Sequence, residues 1–335
     1  MSSLQLSFII PVYNRPDEIR ELLASFADQD FSGDYEIVII EDGSSISSEE
    51  VIHDFSENLT INYLSKPNTG PGDSRNYGMQ RATGSYFVIL DSDCILPPAY
   101  ITSILAELNT NYVHCFGGPD AAHHSFTRLQ KAINYSMTAM LTTGGVRGNK
   151  KALDKFQPRS FNMGLSKEAF NASSGFGDIH PGEDPDLVLR LWKLNYNTRL
   201  FPNTFVYHKR RISWSKFYKQ VHKFGLVRPI LNSWHPSSSK LTFWFPTLFL
   251  VFCICAIFLA AVIGNYIGLL LIGFYLALVF IHASVQNNSA LIGAMAVMAT
   301  LVQFLGYGWG FLKSAWTIQF WGKAPRKQFP HLFFD

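Results

Sequence analysis

The stretch VILDSDCILPP, Val88 to Pro98, joins an apolar run to two carboxylates, Asp91 and Asp93, separated by one serine. Tyr86 to Leu90 reads as a buried strand, because five apolar residues bounded by turn residues suit a core position in a sheet. Paired carboxylates repel each other and disfavour full ionisation unless a cation joins them. A hard divalent ion such as Mg²⁺ or Mn²⁺ accepts oxygen ligands and shares its remaining positions with water and phosphate. Asp-rich turns are common and solvated, so this pair has to be judged by its surroundings.

Those surroundings alternate strand and helix. LSFIIPV (Leu6–Val12) is a strand, and RPDEIRELLASF follows with Ile19, Leu22, Leu23 and Phe26 on one helical face. YEIVII and INYL are further strands, DSRNYGMQRAT a helix, and SYFVIL the strand that ends at Asp91. Such alternation predicts an α/β fold with a mainly parallel sheet covered on both faces. Ligands of open parallel sheets bind beyond the C-terminal strand ends. There the sequence places Tyr13 and Asn14 after the first strand, Glu41, Asp42, Gly43 and Ser44 after the second, and Asp91 and Asp93 after the fourth. Polar residues thus gather at one edge and raise the Asp91–Asp93 pair above a solvated turn. No G-x-G-x-x-G follows the first strand and no G-x-x-x-x-G-K-[ST] occurs, which excludes those two phosphate cradles.

The 335 residues carry a net charge of +3 that hides a division. Met1 to Asp186 holds 24 acidic and 13 basic residues; Leu187 to Asp335 holds one acid and 15 bases. Within the basic half, Leu241 to Leu312 is 72 residues without Asp, Glu, Lys or Arg. Three apolar blocks, 241–262, 266–285 and 289–312, each have about the twenty residues that span a bilayer core. Gly264-Asn265 and Gln286-Asn287-Asn288 read as the turns between them.

Basic residues from Lys209, Arg210 and Arg211 to Lys240 precede the first block, and Lys313, Lys323, Arg326 and Lys327 follow the last. The positive-inside rule puts both flanks in the cytoplasm, yet three crossings cannot. Either one block is re-entrant or interfacial, or the tail lies outside against the rule. No secretory signal is expected, since Ser7–Val12 is too short an apolar core and lacks a basic lead. The four cysteines suggest no disulfide framework.

Five ordered motifs between about Leu6 and Gly225 resemble glycosyltransferase family 2, with its GT-A fold. They are SFIIPVYNRPDEIRELLASF, EIVIIEDGSS, NTGPGDSRNYGMQRATGSYFVILDSDC, FNMGLSKEAFNASSGF and GEDPDLVLRLWKLNY. One departure is Glu41, where the family more often has Asp. The resemblance implies that Pro11 to Tyr13, with the neighbouring Asn14 and Glu41, and the Asp42 side chain hold the base and ribose, with Arg75 near the nucleotide. It implies that Asp91 and Asp93 face the diphosphate and a divalent metal, Mn²⁺ or Mg²⁺, with Asp93 the direct ligand, that His208 is a further metal ligand, and that Asp184 is the general base.

Chemistry points to Asp184 independently, since moving a sugar onto a hydroxyl requires a base for its proton. The competing account is that Glu183, Asp184 and Asp186 simply favour the positive end of the helix that starts there. The glycine-rich Thr142–Gly148 reads as a loop over the acceptor. WSKFYKQVHKFGLVRPIL, at about 213–228, reads as a basic helix lying in the membrane interface, with Trp214, Phe217, Tyr218, Val221 and Phe224 on one side. It adjoins a membrane block rather than a binding motif, which argues against nucleic acid as a partner.

The expected protein has a GT-A domain over 1–228 and a membrane domain over 229–335 with two or three spans, held at the inner membrane with the catalytic part in the cytoplasm. Its expected reaction is inverting, metal-dependent transfer of a sugar from a nucleotide-diphosphate donor to a lipid-linked saccharide. Alternatives are transfer to a polyprenyl phosphate and a catalytically inactive membrane scaffold. A processive synthase is disfavoured, because QVHKF lacks the Arg and Trp of the Q-x-x-R-W motif that such enzymes carry.

Overall fold

A computed structural model describes residues 4–121, 126–144, 156–209 and 213–334. In chain order it contains β1 (Leu6–Val12), α1 (Pro16–Ala27), β2 (Tyr35–Asp42), α2 (Glu49–His53), β3 (Ile61–Lys66), α3 (Pro71–Arg81), β4 (Tyr86–Leu90), β5 (Cys94–Ile95), α4 (Tyr100–Thr110), β6 (Cys115–Gly117) and β7 (Asp120–Ala121). Next come α5 (Arg128–Thr138), α6 (Met140–Thr143), β8 (Asn162–Ser166), α7 (Lys167–Ser173), α8 (Glu183–Lys193), β9 (Thr198–Leu200) and β10 (Val206–His208). The remainder is helical: α9 (Trp214–Trp234), α10 (Phe245–Ile263), α11 (Ile267–Gln286), α12 (Ala290–Ser314) and α13 (Pro325–Gln328). Two compact units result. The first takes the described residues of Met1–His123, Lys150–His208 and Phe333–Asp335; the second those of His124–Asn149 and Lys209–Leu332.

The first unit is built on a seven-stranded sheet ordered β3-β2-β1-β4-β8-β6-β9. The four strands β3, β2, β1 and β4 are parallel, as the alternation predicts, while β8 runs antiparallel to both β4 and β6. Side-chain alternation splits each strand between two cores. Phe8 and Ile10 of β1 join Ile37, Ile39, Val88 and the buried face of α1, Ile19, Leu22, Leu23 and Phe26. Ile9 joins Val38, Ile40, Phe87 and Ile89 on the other face, against Met79 of α3 and Leu187, Val188 and Leu191 of α8. Burial on both sides is why these strands are continuously apolar. A small second sheet, β5-β10-β7, pairs His208 with Cys94 and so brings the end of β10 to the residue after Asp93. Nothing in the sequence periodicity announced that pairing.

The second unit gathers helices that are far apart in sequence. Its three long apolar helical stretches run Leu241–Ile263, Ile267–Gln286 and Ala290–Phe320, each long and apolar enough to cross a membrane. α5 joins them, with Ala132 and Tyr135 packed among Val279, Ala283, Ile292 and Ala296. The helix expected at about 213–228 is the start of α9 and belongs to this unit. Part of its apolar side faces protein: Phe217 and Val221 are buried with Ile133, Met137 and Ala299, while Tyr218 is exposed.

Small residues make the close α9–α12 approach possible. A Cβ added at Gly225 of α9 would lie 2.2 Å from Tyr307 O, and one at Gly310 of α12 would lie 2.4 Å from His222 O. This is the small-residue packing that joins helices in apolar surroundings, where the hydrophobic effect cannot. Arg210, Arg211 and residues 145–148 of the glycine-rich stretch lie outside the described residues.

Gly225→Ala should therefore lower the stability of the purified protein in detergent by about 1–3 kcal/mol, the usual cost of overpacking. Gly273→Ala in α11 is the control, because nothing lies within 4 Å of an added Cβ there. Its thermal midpoint should equal or exceed that of the parent.

Candidate active site

The four parallel strands release their polar residues at one edge, and much of that edge is cross-braced. Asn14 has a positive φ of 54°, and its Oδ1 accepts from the backbone N–H groups of Ser45 (2.8 Å) and Ile46 (2.9 Å), tying the end of β1 to the loop after β2. Buried Glu41 accepts from the Ser48 N–H at 2.8 Å and from Ser44 Oγ, which steadies the start of α2. Buried Asp42 accepts from Lys66 Nζ (2.8 Å) and the Thr69 N–H (3.0 Å) through Oδ1, and from the Gly70 N–H (3.0 Å) through Oδ2. It thereby closes the turn that leads into α3. Tyr13 is 53% exposed beside these residues, and Pro11 lies within β1.

The carboxylates after β4 are oriented by arginines. Arg75 Nη2 donates to Asp91 Oδ1 at 2.8 Å, and Arg15 Nη1 donates to Asp93 Oδ2 at 2.7 Å. The other oxygen of each carboxylate turns toward one imidazole: His208 Nε2 is 3.1 Å from Asp93 Oδ1 and 3.9 Å from Asp91 Oδ2. The His208 ring stacks on Phe161 with centroids 4.8 Å apart. Two carboxylate oxygens and one imidazole nitrogen form a donor set that could hold a divalent cation, the carboxylates favouring a hard ion such as Mn²⁺ or Mg²⁺.

Cys94 Sγ also lies within reach of Asp93 and His208. It donates to Phe161 O at 3.4 Å, and burial, reinforced by Asp93 and Asp91, pushes its thiol well above the ordinary range. A neutral buried thiol is a poor partner for a hard ion, so the oxygen-rich set is the better reading of this cluster. All four cysteines are free thiols.

Arg75 also reaches the far side of the site. Its Nη1 donates to Glu183 Oε1 at 2.9 Å, in a position where both side chains are buried. His180 Nδ1 lies 3.1 Å from the same oxygen, an arrangement that requires the proton on Nδ1. Burial acts to raise the Glu183 carboxyl, but His180 and Arg75 outweigh it and hold it down at about 2.

Asp184, next in sequence and half-buried, behaves oppositely. Burial raises its carboxyl above the ordinary aspartate value, against the pull of Arg159, whose Nη1 is 3.6 Å from Oδ2. Adjacent carboxylates are thus pushed apart, one held ionised and one made more basic, as happens where acid–base roles are divided. Asp186 is engaged by Arg190 Nε at 2.9 Å, one turn along α8.

The geometry brings Arg75, Asp91, Asp93 and His208 together, and joins them through Glu183 to the start of the helix that carries Asp184. Arg15, Arg159 and His180 were not singled out from the sequence. Arg15 directly follows Tyr13 and Asn14, so its position after β1 was a usable signal. Arg159 and His180 sit in irregular segments where spacing carries none.

The description "Glycosyl transferase family 2" matches residues 7–172. Over those residues, just under half of the chain, this is a glycosyltransferase family 2 domain. Among its relatives are a chondroitin synthase of Escherichia coli, 29% identical over 43% of this chain and 22% of that protein, and a GalNAc(5)-diNAcBac-PP-undecaprenol beta-1,3-glucosyltransferase of Campylobacter jejuni, 30% identical over 34% of this chain and 37% of that protein. The matches thus span well under half of either relative. In structure the chain is similar to a mannosyltransferase of Pyrobaculum calidifontis solved with GDP-Man and Mn²⁺, at a TM-score of 0.61 and 15% identity over 88% of this chain and 86% of that one. That likeness establishes the fold: a GT-A-like core.

Because Glu183 is held below its ordinary value, it stabilises the folded state above about pH 4.3, the unfolded glutamate value, and that contribution fades as pH falls toward about 2. Glu183→Gln should cost roughly 1–3 kcal/mol at pH 7, the range for leaving a buried partner unsatisfied. Thermal midpoints of the two proteins should draw together as pH falls below about 4.3 and meet only near about 2.

Proposed function

We propose that this chain transfers a sugar from a nucleoside-diphosphate donor to a hydroxyl of a lipid-linked saccharide, with inversion at the anomeric carbon. The observation that carries this reading is the Arg75 bridge, which joins Asp91 at the end of β4 to Glu183 beside Asp184. It sets a diphosphate-binding edge and a candidate base in one connected frame. The anomeric C–O bond to the diphosphate breaks as the acceptor oxygen attacks from the opposite face, and the acceptor proton passes to Asp184.

The raised Asp184 carboxyl makes it a better proton acceptor than an exposed aspartate, and Arg159 favours its ionised form. Asp91, Asp93 and His208 would hold the divalent ion, which when bound offsets charge on the departing diphosphate. Tyr13, Asn14 and Asp42 border the space assigned to base and ribose, and Pro11 and Glu41 shape the strand ends beneath it. The lipid-linked acceptor is supported by the apolar helices and by the Campylobacter relative, whose name specifies an undecaprenol-linked substrate.

The catalytic unit is assigned to the cytoplasmic face, because the basic flanks of the apolar helices favour that side. Phe333 pairs with Ile179 and the Phe334 N–H bonds to Asp178 O at 3.0 Å, both within the first unit. These contacts of the tail support a reading with an even number of crossings, one of the three helices being re-entrant or interfacial. In sealed vesicles, Glu57→Cys and Lys327→Cys should react together with an impermeant thiol reagent or not at all. Labelling of only one would overturn this topology.

The chemistry is tested by incubating the protein and Mn²⁺ with individual nucleotide sugars and an undecaprenyl-linked saccharide, and measuring release of nucleoside diphosphate. Asp184→Asn should lower turnover by roughly 10² to 10⁴, the usual contribution of a general base, without changing donor affinity or lowering the thermal midpoint. Asp93→Asn should remove most turnover and weaken Mn²⁺ binding measured directly. Normal turnover in Asp184→Asn would remove it as the base.

A further inference from the structure

We propose that Phe333 and Phe334 are positioning residues for the catalytic carboxylates: a two-residue strap that holds the segment leading into α8 against the turn leading into α3. This rests on the reaction assigned above. Two features make the strap specific. Its backbone is paired, since Phe333 bridges Ile179 in antiparallel fashion and the Phe334 N–H donates to Asp178 O at 3.0 Å. Its side chain is seated, since the Phe334 ring lies directly on Gly70, where an added Cβ would be 2.4 Å from two ring carbons. Gly70 has a φ of 90°, a conformation that side chains resist, so the glycine supplies both the turn and the room.

The two contacts reach both halves of the site. Gly70 gives its N–H to Asp42, on the side assigned to the nucleotide. The Phe334 ring lies 6.1 Å from the His180 ring, and His180 holds Glu183, which is bonded to Arg75 and precedes Asp184. The ring also closes one wall of a cavity of about 200 Å³ with Thr69, Asp73, Asn76, Phe176 and Gly177. Asn76 makes two hydrogen bonds to the opposite wall, donating to Phe176 O and accepting from the Phe176 N–H, each at 2.8 Å. Segment 176–180 is thus held from one side by α3 and from the other by the strap. Without the strap, the His180–Glu183 contact loses its outer support, and the placement of Asp184 loosens. Displacement of a catalytic group by about 1 Å can cost up to roughly a hundredfold in rate.

The experiment compares Phe334→Ala and Phe334→Tyr with the parent in the full chain. Phe334→Ala should lower kcat by roughly tenfold to a hundredfold with donor KM nearly unchanged. Phe334→Tyr, which keeps the ring, should restore most of it. Hydrogen exchange in the same samples should show faster exchange of 177–183 in Phe334→Ala and unchanged exchange in β1. That second readout needs no turnover, so it stands even if the assigned reaction is wrong. Unchanged exchange at 177–183 would overturn the strap. Equal or higher kcat in Phe334→Ala would also overturn it, and would make the ring an obstruction rather than a support.

Discussion

Arg75 donates to Asp91 and to Glu183 from a side chain that is almost fully shielded from water. A buried guanidinium is costly to desolvate and cannot shed its proton, so it persists only where partners satisfy it. Here the partners come from two distant places, the end of β4 and the first turn of α8, so the fold must bring both to α3. Buried ion pairs are weak sources of net stability, yet removing one partner is costly because it leaves an uncompensated buried charge. The arrangement seen here is the one that sets the carboxylates after β4 in a common frame with Asp184.

The remaining charges follow from that frame. Asp91, Asp93, Glu183 and Asp184 face Arg15, Arg75 and Arg159, so these seven side chains leave a surplus of negative charge before any cation arrives. Each carboxylate after β4 gives one oxygen to an arginine and keeps the other turned toward His208. The arginines consume charge without consuming the inward oxygens. The same logic separates neighbours in α8, where the fully engaged Glu183 is held ionised while Asp184, with Arg159 at a longer 3.6 Å, is made more basic by burial.

The second unit holds three helical stretches long and apolar enough to cross a membrane. Its long helices carry apolar side chains on their outer faces, and they approach closely at Gly225, Gly308 and Gly310, where an added Cβ would meet backbone. α5 and α9 are absorbed into this unit because their apolar residues, Ile133, Met137, Phe217 and Val221, fit that surface.

The sequence by itself determined what is local and periodic. The four strands from Leu6 to Leu90, the helices α1 and α3 and the three apolar stretches were legible because alternation, helical spacing and unbroken hydropathy are written residue by residue, whereas the short α2 was not. The polar residues after each parallel strand were legible too, since a parallel sheet must release them at one edge. Only the tertiary structure decided which of them meet.

The pairing of His208 with Cys94, the double reach of Arg75, the approach of Arg159 to Asp184 and the return of Phe333 to Ile179 link residues 16 to 154 positions apart. No short-range pattern encodes such contacts. Nor could the sequence show that Phe217 and Val221 of 213–228 are buried within their own unit, because a helix face that suits a bilayer equally suits a neighbouring helix lined with glycine.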